Sequence, residues 1–148
     1  MAKVNTIDYY LKTAWQSVAN SYNQAASKVG LTQASGYVLI NIRKDGTAVS
    51  QIANLLGVRS TSLSRMLSGM EKQGLIYREA SALDKRSVKV FLTDLGIEKR
   101  ENAKEIVRSF NDYLIAHMSE SERMKLESTL IKINQLSQKF LQENSKAY

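Results

Sequence analysis

The chain has no cysteine, no proline and one histidine among its 148 residues. Without thiols, disulfide frameworks, cysteine-ligated zinc and thiol catalysis or sensing are excluded. The single His117 leaves no histidine cluster, so no metal site is expected. Absence of proline removes Pro-rich linkers and favours long uninterrupted helices. No apolar run approaches the roughly 18 residues that a membrane-spanning helix needs. The opening Met1-Ala2-Lys3-Val4-Asn5-Thr6 carries no apolar signal-peptide region, so a cytoplasmic protein is the expectation. There is also no Gly-rich phosphate loop and no pair of carboxylates in a recognisable site. Neither an enzyme nor a cofactor is expected.

What is abundant is positive charge: 21 Lys and Arg against 14 Asp and Glu, a net +7. The excess is unevenly spread. Residues 1–42 carry +2, residues 43–93 carry +5 and residues 94–148 carry 0. A basic middle third suits a polyanionic partner, although a solubilising surface would look the same by charge alone.

Periodicity divides the chain. Ile7, Tyr10, Leu11, Ala14, Trp15, Val18 and Tyr22 recur at helical spacing, with a helix expected over 7–29, started by Asn5 or Thr6 and ended by Gly30. A second helix follows Thr32. Val49, Ile52, Ala53 and Leu56 mark a short helix capped by Thr47 or Ser50 and closed at Gly57. Ser60 is the expected cap of the next helix, whose apolar stripe is Leu63, Leu67 and Met70 and whose end is Gly74. The period then changes to two: strands are expected over 75–79 and 87–93, joined by a polar tip at 80–86. Two helical stripes return, the second opened by Ser119-Glu120-Ser121-Glu122, a capping box.

Two short helices with a Gly turn, followed by a hairpin, form the order of a winged helix-turn-helix. Ala53 lets the helices approach, Gly57 makes the turn, and Val58 is expected to plug the angle between them. Burying Leu63, Leu67 and Met70 leaves Thr61, Ser62, Ser64, Arg65 and Ser68 outside. Five Ser and Thr between positions 60 and 68 are poor helix formers, and donors to phosphates and base edges would explain them. Arg59 and Ser60 stand at the start of the same face. Lys85 and Arg86 at the hairpin tip and Lys89 on the returning strand supply cations for a wing, and Asp84 is placed to orient Arg86.

The run Gly57-Val58, then Lys72-Gln73-Gly74-Leu75-Ile76, Asp84-Lys85-Arg86-Ser87 and Val90-Phe91-Leu92-Thr93 with Gly96 resembles the MarR family of bacterial transcriptional regulators. The D-x-R-S wing and the L-T-x-x-G ending are the specific part, and the likeness extends over nearly the whole chain. It implies a mainly α fold with a small β wing. Long N- and C-terminal helices (1–31 and 97–148) would form a dimerisation region around a winged helix-turn-helix at 32–96. It further implies a homodimeric repressor reading a pseudo-palindrome in double-stranded DNA, with residues 60–73 in the major groove and the wing, 77–93, in the minor groove. Ser50 and Gln51 would touch phosphate. The family's thiol-sensing mechanism is excluded here. A small aromatic or anionic effector is implied, in a pocket involving Trp15, Tyr22, Tyr37 and Phe110. Helical spacing alone makes these four residues core or dimer interface. Gly36, unusual for the family, bears on the shape of that pocket. The competing reading is a winged-helix scaffold that binds protein and reads no DNA.

Overall fold

The computed structural model describes residues 5–84 and 87–145. They fall into two compact units, one up to Val107 and one from Arg108. The first unit holds α1 (Ile7–Ser27), α2 (Gln33–Asn41), β1 (Thr47–Ala48), α3 (Val49–Leu56), α4 (Ser60–Lys72), β2 (Ile76–Ala80) and β3 (Val88–Leu92). α5 (Asp94–His117) begins in it and continues into the second unit, which ends with α6 (Glu120–Asn144).

The core lies in the first unit. Val38, Leu39 and Ile42 from α2 and its end meet Ile52 and Ala53 of α3 and Leu63, Leu67 and Met70 of α4, with Ile76 and Val90 of the sheet beneath them. Each large aliphatic side chain so buried contributes about 1.5–3 kcal/mol. The apolar stripe of α4 is therefore buried as its spacing requires.

Three helices end in the same hydrogen-bonded turn. After α3, Val58 N–H donates to Ala53 O at 3.2 Å and Gly57 N–H to Asn54 O at 3.2 Å. Leu31 to Ala26 with Gly30 to Ser27, and Leu75 to Met70 with Gly74 to Glu71, repeat the pattern. Gly57 adopts φ +64°, a left-handed conformation that a side chain would strain. Val58 closes this turn with its backbone, and at 40% exposure it is not part of the buried core.

The helix starts depart from expectation. Neither Thr47 nor Ser50 caps α3; the N-cap is Ala48, without a side-chain hydrogen bond. Thr47 instead belongs to a strand that the sequence pattern does not show, and its hydroxyl accepts from Arg43 N–H at 2.9 Å. Two residues are too few for a visible period. Ser60 is the first residue of α4 and not its cap, which is Arg59, again without a side-chain bond. Thr32 and Ser119 do cap α2 and α6, each in a reciprocal capping box.

The sheet is antiparallel in the order β1-β3-β2. Ile76 pairs with Leu92, Arg78 with Val90 and Glu79 with Lys89. Side-chain alternation puts Ile76, Arg78 and Val90 on the face towards α4. Tyr77, Glu79, Lys89 and Phe91 share the other face, where Tyr77 and Phe91 stack at 5.3 Å between ring centres.

The L-T-x-x-G ending acquires a physical reason. Thr93 Oγ1 donates to Gly74 O and accepts from Gly96 N–H at 3.0 Å, while Thr93 N–H donates to Leu75 O at 3.1 Å. A Cβ on Gly96 would overlap the Leu75 carbonyl oxygen. Threonine and glycine together lock the joint between β3 and α5 onto the joint between α4 and β2.

In the second unit, α6 buries none of its residues. Met124, Leu126, Leu130, Ile131, Leu136, Phe140 and Leu141 all remain more than a third exposed. α1 likewise leaves Ile7, Tyr10, Leu11 and Trp15 exposed. No helix among the described residues is long and apolar enough to cross a membrane.

Candidate nucleic-acid interface

α4 presents two faces of opposite character. With Leu63, Leu67 and Met70 buried, Ser60, Thr61, Ser62, Ser64, Arg65 and Lys72 are exposed and Ser68 is half-buried. Gly69 lies among them, and a Cβ there would meet nothing within 4 Å. Arg59, Ser50 and Gln51 are also exposed, the last two in the first turn of α3. The structure thus gathers Ser50, Arg59, Ser60, Thr61, Ser62, Ser64 and Arg65 around the beginnings of α3 and α4.

Ser64 and Ser68 have an additional partner. Arg78, on β2, donates from Nε to Glu71 Oε1 at 2.6 Å and from Nη2 to Glu71 Oε2 at 3.1 Å. Its Nη2 also reaches Ser68 Oγ at 3.1 Å, and Ser68 Oγ donates to Ser64 O at 2.9 Å. Hydrogen bonding from Arg78 holds the Glu71 carboxyl below its ordinary range, against the desolvation that would raise it. The same bonds push the Arg78 guanidinium up. A two-point pair of this kind fixes orientation as well as charge. Sequence reasoning missed Arg78 and Glu71, because their pairing depends on how β2 folds back across α4.

Arg78 also lines a cleft of about 390 Å³, together with Ser50, Ser60, Ser64 and Ser87. The cleft lies where the starts of α3 and α4 meet the first residues of β3.

On the wing, Lys89 is half-buried on the sheet face opposite Arg78, across from Glu79. Asp84 is exposed, and its carbonyl accepts from Ser87 N–H at 3.0 Å. Lys85 and Arg86 lie outside the described residues, and with them the expected contact of Asp84 with Arg86.

A separate cavity of about 250 Å³ lies between α1, α2 and the first half of α5. Trp15, Tyr22 and Tyr37 line it, with Gly36, Ala103 and Ile106. None of the described residues lining it is charged. Gly36 leaves room there: a Cβ would stand 3.5 Å from the Ala103 Cβ, an ordinary contact. Phe110 belongs to the second unit.

Two helices set around a Gly turn, a hydroxyl-rich exposed helix face and a three-stranded wing define a winged helix-turn-helix protein. The MarR family model matches residues 29–87. The transcriptional repressor MdtR of Bacillus subtilis (strain 168) is 24% identical over 144 residues, 97% of this chain and 93% of that one. The organic hydroperoxide resistance transcriptional regulator of the same organism is 30% identical over 103 residues, 69% of this chain and 70% of that one. Among solved structures, the Staphylococcus aureus MepR–DNA complex superposes with a TM-score of 0.81 at 25% identity, covering 88% of this chain and 98% of that one. A cysteine-to-serine mutant of Escherichia coli MarR complexed with operator DNA gives 0.78 at 26% identity, over 86% and 92% of the two chains. The chain belongs to the MarR family of winged-helix transcriptional regulators.

Proposed function

We propose that this regulator is a homodimeric, sequence-specific DNA-binding protein, most simply a repressor, acting in the cytoplasm. The observation that carries the reading is the exposed face of α4, where Ser60, Thr61, Ser62, Ser64 and Arg65 stand clear of the core. Hydroxyls and a guanidinium on a protruding helix are donors for base edges in a major groove. The DNA complexes of MepR and of MarR, to which the chain is similar over most of its length, support the same assignment. In this reading 60–73 enters the major groove. The wing, 77–93, follows the minor groove with Lys85, Arg86 and Lys89 supplying charge, and Ser50, Gln51 and Arg59 meet phosphates. MdtR, itself a repressor, supports repression as the output.

Dimerisation through 1–31 and 97–148, outside the winged region at 32–96, is supported by the exposed apolar side chains of α1 and α6. Exposed apolar surface on this scale marks an interaction site. The cavity beside Trp15, Tyr22 and Tyr37 supports effector control. Its uncharged lining favours a small aromatic ligand over an anionic one, because a buried anion without a partner is costly. An effector acts only if it binds the DNA-competent and DNA-incompetent states unequally.

Selection of bound duplexes from a random DNA pool tests the proposal. A reproducible pseudo-palindromic consensus is expected, with affinity falling steeply with salt. Arg65→Ala and Arg86→Ala should each weaken binding while leaving the dimer intact by sedimentation. No enrichment at low salt would instead favour a protein-binding scaffold.

A further inference from the structure

Arg78 has more donors than its ion pair uses. A guanidinium carries five N–H groups. Nε and Nη2 are engaged by Glu71 and Ser68, but the Nη1 contact with Ser64 Oγ is 3.5 Å, at the limit of hydrogen bonding. That donor belongs to a side chain lining the 390 Å³ cleft with the hydroxyls of Ser50, Ser60, Ser64 and Ser87. No carboxylate is among the described lining residues. Glu71 grips the guanidinium from α4 without itself lining the cleft. The cleft thus offers one oriented cationic donor and several hydroxyls, a set suited to a tetrahedral oxyanion.

Position narrows the ligand. The cleft lies between the start of α4 and the start of β3. If α4 lies in a major groove and the wing in the adjacent minor groove, the element separating the two grooves is a sugar-phosphate backbone. We infer that this cleft seats one backbone phosphate of a DNA duplex, held by Arg78 Nη1 and the hydroxyls of Ser60 and Ser87, with Glu71 as the positioning residue that aims the guanidinium. The inference rests on the DNA-binding reading above and adds Arg78 and Ser87 to it.

The test uses the full chain and a pool-selected duplex, and compares wild type with the double variant Arg78→Gln/Glu71→Gln. Net charge is unchanged, so a general attraction predicts the same salt dependence. Loss of a phosphate contact predicts that the slope of log affinity against log salt shrinks by about 0.9 per chain. Duplexes carrying single uncharged methylphosphonates locate the phosphate: one position per half-site should weaken wild type and have a much smaller effect on the double variant, which keeps only the hydroxyls. Ser87→Ala leaves the ion pair in place and should cost about tenfold in affinity, with a reduced penalty at that same methylphosphonate. Ser87→Ala also decides the matter if thermal melting shows the double variant unfolded. A wild-type slope and methylphosphonate pattern in the variants overturns the phosphate seat and leaves Arg78 as a brace alone. Failure of wild type to bind any duplex at low salt overturns the DNA-binding reading itself, a distinguishable result.

Discussion

Arg78 and Glu71 grip each other through two hydrogen bonds, of 2.6 and 3.1 Å, and thereby tie the wing strand β2 to the outward helix α4. The pair lies outside the apolar core, at the level where Ser64 and Ser68 stand on the helix. It fixes the relation of α4 to the wing by a directional contact that hydrophobic packing does not provide.

That pair makes stability depend on acidity. Arg78 lowers the Glu71 carboxyl from its reference value of 4.5, so the pair's contribution is fully present above that value and is lost as pH falls through the depressed one. Glu71→Gln should lower the melting temperature near neutral pH. The difference from wild type should shrink as pH falls through the depressed value of Glu71, below which both carry an uncharged side chain. Melting curves across this range check it; a constant difference would show that packing and not charge is lost.

A side chain is excluded at Gly96 and strained at Gly46. A Cβ at Gly96 would run into the Leu75 carbonyl, and one at Gly46 would stand 2.7 Å from the Phe91 ring in a backbone already at φ +85°. Backbone at Gly96 has nowhere to move, whereas the Phe91 ring, stacked on the half-exposed Tyr77, can shift. Gly96→Ala is expected to cost more than about 3 kcal/mol in urea denaturation, and Gly46→Ala about 1–3 kcal/mol.

Gly69 should behave in the opposite way. It lies in the helical run of α4, exposed, and a Cβ there meets nothing. Gly69→Ala is expected to stabilise the free protein by about 0.5–1 kcal/mol. If this face approaches DNA closely, the same substitution weakens binding. Urea denaturation and a duplex titration on one sample separate the two effects.

Gly36 controls the aromatic-lined cavity. Gly36→Ala should keep or slightly raise stability, since its Cβ meets only the Ala103 methyl at 3.5 Å. Gly36→Leu should fill the space beside Trp15 and Tyr37. A small aromatic ligand that quenches Trp15 fluorescence in wild type, the chain's single tryptophan, should lose this effect in Gly36→Leu.

Much of the fold was legible because it rests on local rules. The stripe of α4, the Gly-closed ends of α1, α3 and α4 and the boxes at Thr32 and Ser119 each depend on residues within one or two turns. The wing strands were placed to within a residue, at 76–80 and 88–92 against the expected 75–79 and 87–93. Expectations failed where a distant segment intervened. Thr47 reads as a cap, but pairing with Val90 makes it a strand.

The division at the interface is similar. Which side of α4 is buried, and hence that Thr61, Ser62 and Arg65 face outwards, follows from helical spacing and apolar content alone. So does the concentration of positive charge in the middle third, since charge is counted along the chain. The Arg78–Glu71 pair, the cleft shared by Ser50, Ser60 and Ser87, and the close approach of Gly96 to Leu75 were decided only in three dimensions. Each depends on where β2, β3 and α5 return across the helix-turn-helix, a long-range register that no local pattern encodes.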